Sequence, residues 1–260
     1  MTTPLPPWPY PRWIAHRGAG KLAPENTLAA FRLGAAHGYR MFECDAKLSS
    51  DGVLMLLHDA TLERTTNGHG LAGDLGMGEL AQLDAGSWHS RRFAGEAIPT
   101  LQALARYCLA NGYHLNVEIK PTPGQEAATG RAVADLLARI WPAAEVPPLL
   151  TSFKPAALTA AREAAPQLPR GLLVDKLVGD GADGNPDGSA DVQTALQLGC
   201  QTMVLNHALW DAALVARVHG SGMRCLSYTV NDEWAAERLV QLGTDGIITD
   251  RVDLFSPALA

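Results

Sequence analysis

The chain has 260 residues and a formal net charge of −6 at pH 7, with 47% apolar and 18% charged residues. This balance is typical of a globular protein with a sizeable core. The acidic charge argues against a general nucleic-acid-binding protein, because such a protein needs a basic surface to neutralise phosphates. No apolar stretch approaches the roughly 20 residues of a membrane-spanning helix, so stable membrane insertion is not expected.

Short apolar runs alternate with longer segments of helical period along the chain. The predicted strands are residues 13–16, 41–46, 114–120, 148–153, 170–175, 202–207, 224–230 and 246–250. Predicted helices follow Asn26, start at a Thr100 N-cap, and cover residues 124–141, 154–165, 190–198, 208–220 and 231–242. Glycines near several exits are typical helix stops.

Eight strands separated by seven helices predict an α/β protein, a closed (β/α)8 TIM barrel. A doubly wound open sheet is the alternative, and the tight spacing and the count of eight weigh against it. Residues 60–99 are rich in glycine and interrupt the alternation. We expect them to form a small inserted subdomain at the C-terminal rim, so that residues 1–260 make a single domain.

The Asp-Gly pair at 51–52 is a strong signal for a two-residue hairpin turn after the second strand. With that turn, Asp45 is expected to lie opposite His58, and Glu43 shares their face because side chains alternate along a strand. The returning strand, residues 53–57, is antiparallel and is therefore not one of the eight. A solvated hairpin with its charges facing water is the alternative.

Polar side chains cluster at the predicted carboxyl ends of the first three strands, where barrel enzymes place their active sites. They are His16 and Arg17 after the first strand, Glu43 and Asp45 in the second, and Glu118 and Lys120 in the third. If the three carboxylates converge, repulsion raises the pKa of at least one unless a cation neutralises them. Hard oxygen ligands favour one divalent ion, Mg²⁺ or Ca²⁺. A buried ion network with Arg17 and Lys120 is the alternative.

His16 and His58 are the natural proton donor and acceptor near neutral pH. Arg17 and Lys120 offer cationic donors suited to a phosphate oxygen. A divalent ion, two cations and two imidazoles around one cavity indicate a site that breaks a phosphorus–oxygen bond. The other histidines are expected to have structural or surface roles.

Five segments in order resemble the glycerophosphodiester phosphodiesterases: IAHRGAGKLAPENT, FECDAKLSSDGVLMLLHDATLERTTNG, NVEIKP, SYTVN and LGTDGIITD. The resemblance covers nearly the whole chain and is closest to cytosolic bacterial members linked to glycerol-3-phosphate uptake. It implies a barrel with an inserted subdomain. It also implies metal-dependent hydrolysis of glycerophosphodiesters, such as glycerophosphocholine and glycerophosphoethanolamine, to glycerol 3-phosphate and an alcohol.

The resemblance also implies roles for individual residues. It makes His16 and His58 the general acid and base, Glu43, Asp45 and Glu118 the metal ligands, and Arg17 and Lys120 the phosphate contacts. Glu25 and Asn26 lie in the Pro-Glu-Asn-Thr segment and are expected to support substrate binding, with helix capping as the alternative. Tyr228 stands where many relatives carry Trp, and with Phe153 it is expected to form an aromatic wall; barrel packing is the alternative for both.

Three other functions stay open at this point. A lysophospholipase D or a phosphoinositide-type phosphodiesterase of related barrel type would use the same acids and histidines, but needs an apolar rim that residues 60–99 do not obviously provide. A non-catalytic barrel that binds phosphorylated polyols would not need both histidines and all three acids.

The attacking group is either the substrate's own 2-hydroxyl, which gives a cyclic phosphate, or water.

The cysteine pattern bears on the compartment. Four cysteines lie far apart and form no Cys-x-x-Cys pair: Cys44, Cys108, Cys200 and Cys225. That spacing favours reduced thiols in a cytosolic protein. The proline-rich opening has too short an apolar run for a signal peptide. The sequence therefore predicts a cytoplasmic protein with a small-molecule substrate, and leaves the oligomeric state open.

Overall fold

The computed structural model describes residue 5 and residues 7–179 and 186–257. Its nine strands are β1 (Trp13–Ala15), β2 (Met41–Leu48), β3 (Leu54–Leu56), β4 (His114–Ile119), β5 (Leu149–Ser152), β6 (Arg170–Val174), β7 (Thr202–Asn206), β8 (Arg224–Tyr228) and β9 (Gly246–Thr249). All except β3 run parallel, and β1 pairs with both β2 and β9, which closes the ring. The predicted TIM barrel is confirmed, and the open doubly wound sheet is excluded.

The helices of the described residues are α1 (Leu28–Ala36), α2 (Met77–Leu80), α3 (Leu101–Asn111), α4 (Glu126–Ile140), α5 (Pro155–Ala164), α6 (Ser189–Gln197), α7 (Ala212–Gly220) and α8 (Glu233–Leu242). All but α2 connect successive barrel strands. Thr100 caps α3 as predicted, because its hydroxyl accepts from the N–H of Ala103 at 3.1 Å. None of these helices combines the length and the apolar character needed to cross a bilayer.

The helix predicted over 208–220 begins later than expected, at Ala212. The Asp211 side chain accepts from the N–H of Leu214 at 2.7 Å and so fixes the start of α7. The residues before it, His207–Leu209, form a separate 3-10 turn. Apolar periodicity marks the buried face of a helix, but the first residue of the helix is set by such a cap.

Apolar side chains fill the interior of the barrel. They are Ile14, Met41, Leu149, Leu173, Val204, Leu226 and Ile248. Tyr10 packs against them from the end where the strands begin, and its hydroxyl donates to the carbonyl of Pro147 at 2.8 Å. Val117 and Ile119 lie in a larger cluster between the barrel and the helices, as the alternation in β4 predicts. Most barrel strands are therefore apolar on both faces, whereas the face of β4 opposite Val117 and Ile119 carries Asn116 and Glu118.

The β2–β3 hairpin has a loop of three residues, 50–52, where a two-residue turn was predicted. The N–H of Ser49 donates to the carbonyl of Val53 at 2.9 Å, which closes the loop one residue earlier than expected. The hydroxyl of Ser49 also accepts from the N–H of Val53 at 3.0 Å. The side chain of Ser49 thus supplies the hydrogen bond that selects the longer loop.

The register of the hairpin was therefore predicted wrongly by one residue. Ala46 pairs with Leu56, and the carbonyl of Asp45 accepts from the N–H of Leu57, not of His58, at 3.1 Å. His58 lies beyond the end of β3, in an irregular segment. Strand alternation does not place it beside Asp45, so its position must be explained by other contacts.

Residues 60–99 lie between β3 and α3 and contain α2 and two 3-10 turns. A small buried cluster joins this segment to the hairpin: Met55, Leu57, Leu62, Ala72, Leu80, Ala85 and Ile98. Asp84 ties the segment together, because its carboxylate accepts from the N–H groups of Gly86, Ser87 and Gly95 at 2.8, 2.8 and 3.1 Å. The description of residues 1–260 as one domain with an insertion at 60–99 stays a prediction.

Candidate active site

His16 directly follows β1 and is held by the carboxylate of Asp250, the residue after the neighbouring strand β9. Its Nδ1 lies 2.7 Å from Oδ1 of Asp250, and Asn231 donates to the other oxygen of Asp250 at 3.0 Å. Burial opposes ionisation of Asp250, but His16, Asn231 and Arg17 together outweigh it, so the pKa of Asp250 is lowered to about 2. The second ring nitrogen, Nε2, lies 3.8 Å from Glu43. One nitrogen of the ring is thus fixed by Asp250, and the other faces the acids.

His58 is held by its sequence neighbour. Its Nδ1 lies 2.6 Å from Oδ1 of Asp59. The buried ammonium of Lys47 donates to the carbonyls of both His58 and Asp59 and so fixes the backbone of the segment. Burial lowers the pKa of His58 below its ordinary value, and the charges of Arg17 and Lys120 lower it further. These surroundings favour the neutral imidazole.

Arg17 adopts a backbone conformation that is rare for a residue with a side chain, with a φ of 50°. Its N–H donates to Oε2 of Glu43 at 3.1 Å, and its guanidinium donates to Glu25 at 2.8 Å. Its Nε lies 3.2 Å from Oδ2 of Asp45. These three contacts hold the residue in its strained backbone conformation. Strain of this kind is often found at functional sites.

Asn26 links the β1–α1 loop to an acid on β2. Its side chain donates to Oδ2 of Asp45 at 2.9 Å and accepts from the N–H of the same residue at 3.1 Å. The N-cap of α1 is Thr27, whose hydroxyl accepts from the N–H of Ala30. Helix capping is therefore not the role of Asn26, and Glu25 pairs with arginines instead of capping.

Glu43, Asp45 and Glu118 offer carboxylate oxygens that all lie within 4.8 Å of one another. Burial, Asp45 and Glu118 together raise the pKa of Glu43 well above its ordinary value. Burial and the charge of Asp45 raise the pKa of Glu118 to about 7. Asp45 is fully buried, which favours its neutral form, but Arg17 and Lys120 outweigh burial and keep its pKa below its ordinary value.

Among the residues that the structure describes, two of these oxygens find no hydrogen-bond donor. They are Oε1 of Glu43 and Oδ1 of Asp45, both buried. Lys120 pairs with Glu118 at 2.9 Å but lies 3.5 Å from Asp45. Arg17 and Lys120 thus form part of the buried ion network that was the alternative to a metal site. They do not, however, donate hydrogen bonds to the two unpaired oxygens. Buried oxygens of this kind fit a hard divalent cation.

Glu43, Glu118 and both imidazoles line a cavity of about 170 Å³. The lining also includes an apolar wall formed by Phe153, Leu173, Tyr228 and Ile248. The rings of Phe153 and Tyr228 meet edge to face at 5.9 Å. The hydroxyl of Tyr228 donates to the carbonyl of Val174 at 3.1 Å. Tyr228 therefore contributes its ring to the wall, with its hydroxyl already occupied.

The structure brings the predicted site residues together at the carboxyl end of the barrel. Those that line the cavity are His16, Arg17, Glu43, His58, Glu118, Lys120, Phe153 and Tyr228. Glu25, Asn26 and Asp45 lie in contact with Arg17, behind the lining.

Several polar residues of the site were not predicted. They are Asp59, Arg64, Asn116, Thr151 and Asp250. A signal for Asp250 was present, since it ends the last predicted strand at the rim, and Asp59 adjoins His58. Arg64 lies in the irregular segment 60–99, where no periodic pattern indicates which way a side chain points.

Comparison with known proteins gives consistent matches. The sequence profile of the Glycerophosphoryl diester phosphodiesterase family matches residues 16–254. A glycerophosphodiester phosphodiesterase of Caldanaerobacter subterraneus is 32% identical over 244 residues, covering 91% of this chain and 93% of the relative.

Two solved structures share the fold. A phosphodiesterase from Oleispira antarctica, in complex with the product sn-glycerol-3-phosphate, has a TM-score of 0.87 and 34% identity, covering 96% of this chain and 98% of that one. A glycerophosphodiester phosphodiesterase from Agrobacterium tumefaciens has a TM-score of 0.74 and 26% identity, covering 95% of this chain and 99% of that one.

Proposed function

Since this chain belongs to the glycerophosphoryl diester phosphodiesterase family and is an enzyme that hydrolyses glycerophosphodiesters, we propose that its substrates are small ones such as glycerophosphocholine and glycerophosphoethanolamine. The products are glycerol 3-phosphate and the free alcohol. One observation carries this proposal: two imidazoles and two cationic side chains line the same small cavity as the carboxylates of Glu43 and Glu118. The product bound by the Oleispira antarctica enzyme supports the choice of glycerol 3-phosphate.

Glu43, Asp45 and Glu118 would hold one divalent cation, Mg²⁺ or Ca²⁺. The unpaired oxygens of Glu43 and Asp45 and the raised pKa of Glu118 support this assignment, because a cation would allow all three acids to ionise. When bound, such an ion supplies charge stabilisation for phosphate oxygens.

Arg17 and Lys120 would bind the non-bridging phosphate oxygens of the substrate. Both side chains are held in place by acids, Arg17 by Glu25 and Lys120 by Glu118. Donors positioned in advance stabilise charge in the transition state more effectively than mobile ones.

His16 and His58 would transfer the protons. One imidazole takes a proton from the attacking oxygen, and the other gives a proton to the departing alcohol oxygen as the phosphorus–oxygen bond breaks. If the 2-hydroxyl of the substrate attacks, a cyclic phosphate forms first, and water then opens it with the two imidazoles in exchanged roles. If water attacks directly, the diester is hydrolysed in one step. Both routes consume one water molecule per diester.

The apolar wall would lie beside the carbon skeleton of the substrate. Phe153 and Tyr228 both line the cavity, and Lys120 lies 5.9 Å from the ring centre of Phe153. Because the hydroxyl of Tyr228 is bound to a carbonyl, the wall offers no free donor there. This favours a substrate with an uncharged, partly apolar glycerol unit at this side.

A metal-by-metal assay against a panel of diesters tests the proposed function. The purified protein is stripped of divalent ions and assayed on glycerophosphocholine, glycerophosphoethanolamine and lysophosphatidylcholine with Mg²⁺ or Ca²⁺ restored. We expect glycerol 3-phosphate only when an ion is restored. Glu43→Gln should lose that response, whereas Glu163→Gln, at an exposed acid outside the cavity lining, should keep it.

Other results of that assay would contradict the proposal. Full activity after exhaustive chelation would exclude the metal. Faster hydrolysis of the lysolipid would favour a lysophospholipase D. Calorimetric binding of glycerol 3-phosphate without any turnover would favour a non-catalytic barrel.

The cytoplasm is the proposed compartment. All four cysteines are buried and unpaired, which suits a reducing environment. Fractionation of the source cells, with the enzyme assayed in each fraction, tests this assignment.

A further inference from the structure

The side chain of Arg64 lies between two carboxylates from different parts of the chain. Its Nε and Nη2 donate to Asp59 at 2.6 and 3.1 Å. Its Nη1 and Nη2 donate to Glu25 at 2.7 and 2.8 Å. Four hydrogen bonds thus join the segment after β3 to the β1–α1 loop through one guanidinium.

Each of these carboxylates also holds a residue of the cavity lining. Asp59 lies 2.6 Å from Nδ1 of His58, and Glu25 accepts from Arg17 at 2.8 Å. Arg64 therefore stands one step behind an imidazole on one side and one step behind a phosphate-binding guanidinium on the other. It does not line the cavity itself.

We propose that Arg64 is a positioning residue, which fixes Asp59 and Glu25 and through them orients both the His58 imidazole and the Arg17 guanidinium. This inference rests on the proposed function, because the two oriented groups are those assigned there to proton transfer and phosphate binding. It assigns to residues 60–99 a part in assembling the site, in addition to covering the rim.

The shape of the guanidinium explains why arginine suits this position. A planar fork with several donors can bind two carboxylates at once, whereas an ammonium is a single point of charge. Without the cation, the carboxylates of Asp59 and Glu25 would repel each other, and each could turn toward solvent. The Arg64 side chain is 45% exposed, so water can reach both carboxylates if the side chain is removed. Water molecules would not hold the two carboxylates in a fixed orientation, as the guanidinium does.

Kinetics of two variants and a matched control test the proposal. Arg64→Ala should lower kcat/KM about 10–100-fold, the usual range for loss of a group that orients an active-site ligand. Arg64→Lys should recover only part of the loss, because lysine cannot bind both carboxylates. The control is Arg131→Ala, which removes a somewhat more exposed arginine from its ion pair with Glu163; it should change kcat/KM by less than about twofold.

Chemical rescue gives a second kinetic test. Guanidinium chloride, added below denaturing concentrations, should raise the activity of Arg64→Ala but not that of Asp59→Asn. The double variant Arg64→Ala, Asp59→Asn should lose less activity than the two single losses combined, because both residues act on His58 through the same contact, while the separate path through Glu25 to Arg17 is lost in addition. The proposal would be overturned if the losses of the two single variants were fully additive. It would also be overturned if guanidinium did not restore any activity to Arg64→Ala.

A spectroscopic readout does not depend on turnover. Asp59 accepts from Nδ1 only if that nitrogen carries the proton, so the ¹⁵N spectrum of the His58 ring should show a single tautomer in the wild type. In Arg64→Ala we expect a mixture of tautomers, with the spectrum of His16 unchanged. Arg64→Lys provides the same measurement if the alanine variant does not fold.

The possible failures can be told apart. If the wild-type enzyme does not cleave glycerophosphodiesters, the proposed function fails, while the tautomer of His58 still reports on Arg64. If the wild type is active but Arg64→Ala keeps both its kcat/KM and a single His58 tautomer, the positioning role is wrong.

Discussion

The two imidazoles of the site reach the same cavity by different means. His16 directly follows β1, and its N–H donates to the carbonyl of Thr249 at 3.0 Å, so that the hydrogen bonding between parallel strands carries it into place. His58 lies after β3 in an irregular segment, and side chains hold it: Asp59 at the ring and Lys47 at the backbone. The side chain of His58 is 29% exposed, compared with 15% for His16.

This difference separates two sources of precision. The register of a closed barrel is shared by every strand, so a change at one side chain does little to the backbone position of His16. The position of His58 depends on a few polar contacts, each of which a single substitution can remove. We therefore expect the His58 side of the site to be the more sensitive one.

The largest effects should come from removing the rings themselves. His16→Ala and His58→Ala should each lower kcat by about 10²–10⁴-fold, the usual contribution of a general acid or base. Circular dichroism should show a native fold in both, and His69→Ala, at an exposed position in residues 60–99, serves as the control. Unchanged turnover in either variant would remove that histidine from the mechanism.

Replacement of the two orienting acids separates the two sides. Asp59→Asn and Asp250→Asn should both lower kcat/KM within the range of about 10–100-fold, with the larger loss at Asp59. The physical reason is that β1 still holds His16 when Asp250 changes. Steady-state kinetics on one diester measures both variants, and a larger loss for Asp250→Asn would reverse the comparison.

The backbone support of His58 can be tested at Lys47. Lys47→Met keeps the length of the side chain but leaves the carbonyls of His58 and Asp59 without their donor, which should cost about 1–3 kcal/mol in the free energy of unfolding. Urea denaturation measures this loss, and kcat should fall less than in Asp59→Asn. An equally stable variant would show that these carbonyls find another donor.

The smallest expected effect is a dependence on pH. Burial, Arg17 and Lys120 lower the pKa of His58 below its ordinary 6.5. The unfolded chain then binds a proton more readily than the native protein, so the contribution of His58 to stability decreases as the pH falls below 6.5. An NMR titration should give a midpoint below 6.5 for this ring, and His58→Ala should reduce the change in stability between pH 7 and 5. A midpoint above 6.5 would contradict the assigned surroundings.

The sequence was sufficient for the barrel and for much of the site, because both follow from periodic patterns. Apolar alternation in β4 separates Glu118 from Val117, and the carboxyl-end rule for parallel strands gathers His16, Glu43 and Glu118. The same reasoning placed His58 opposite Asp45, which is wrong because the Ser49 hydrogen bonds lengthen the turn.

The remaining contacts were beyond such patterns for a physical reason. Arg64 reaches Glu25 across 39 positions of sequence, and His16 reaches Asp250 across 234. Contacts of this kind depend on how irregular segments pack after the barrel has closed. The periodic patterns used above relate residues within one strand or one helix, so they cannot predict these long-range contacts.

Tyr10, packed into the base of the barrel, limits how material can pass through the enzyme. Within the described part of the chain, side chains fill the interior and Tyr10 closes that end, so no passage runs through the barrel. The diester must enter, and both products must leave, through the cavity opening at the carboxyl end of the barrel. The alcohol and glycerol 3-phosphate therefore leave through the opening by which new diester enters. We expect this shared opening to contribute to inhibition by product.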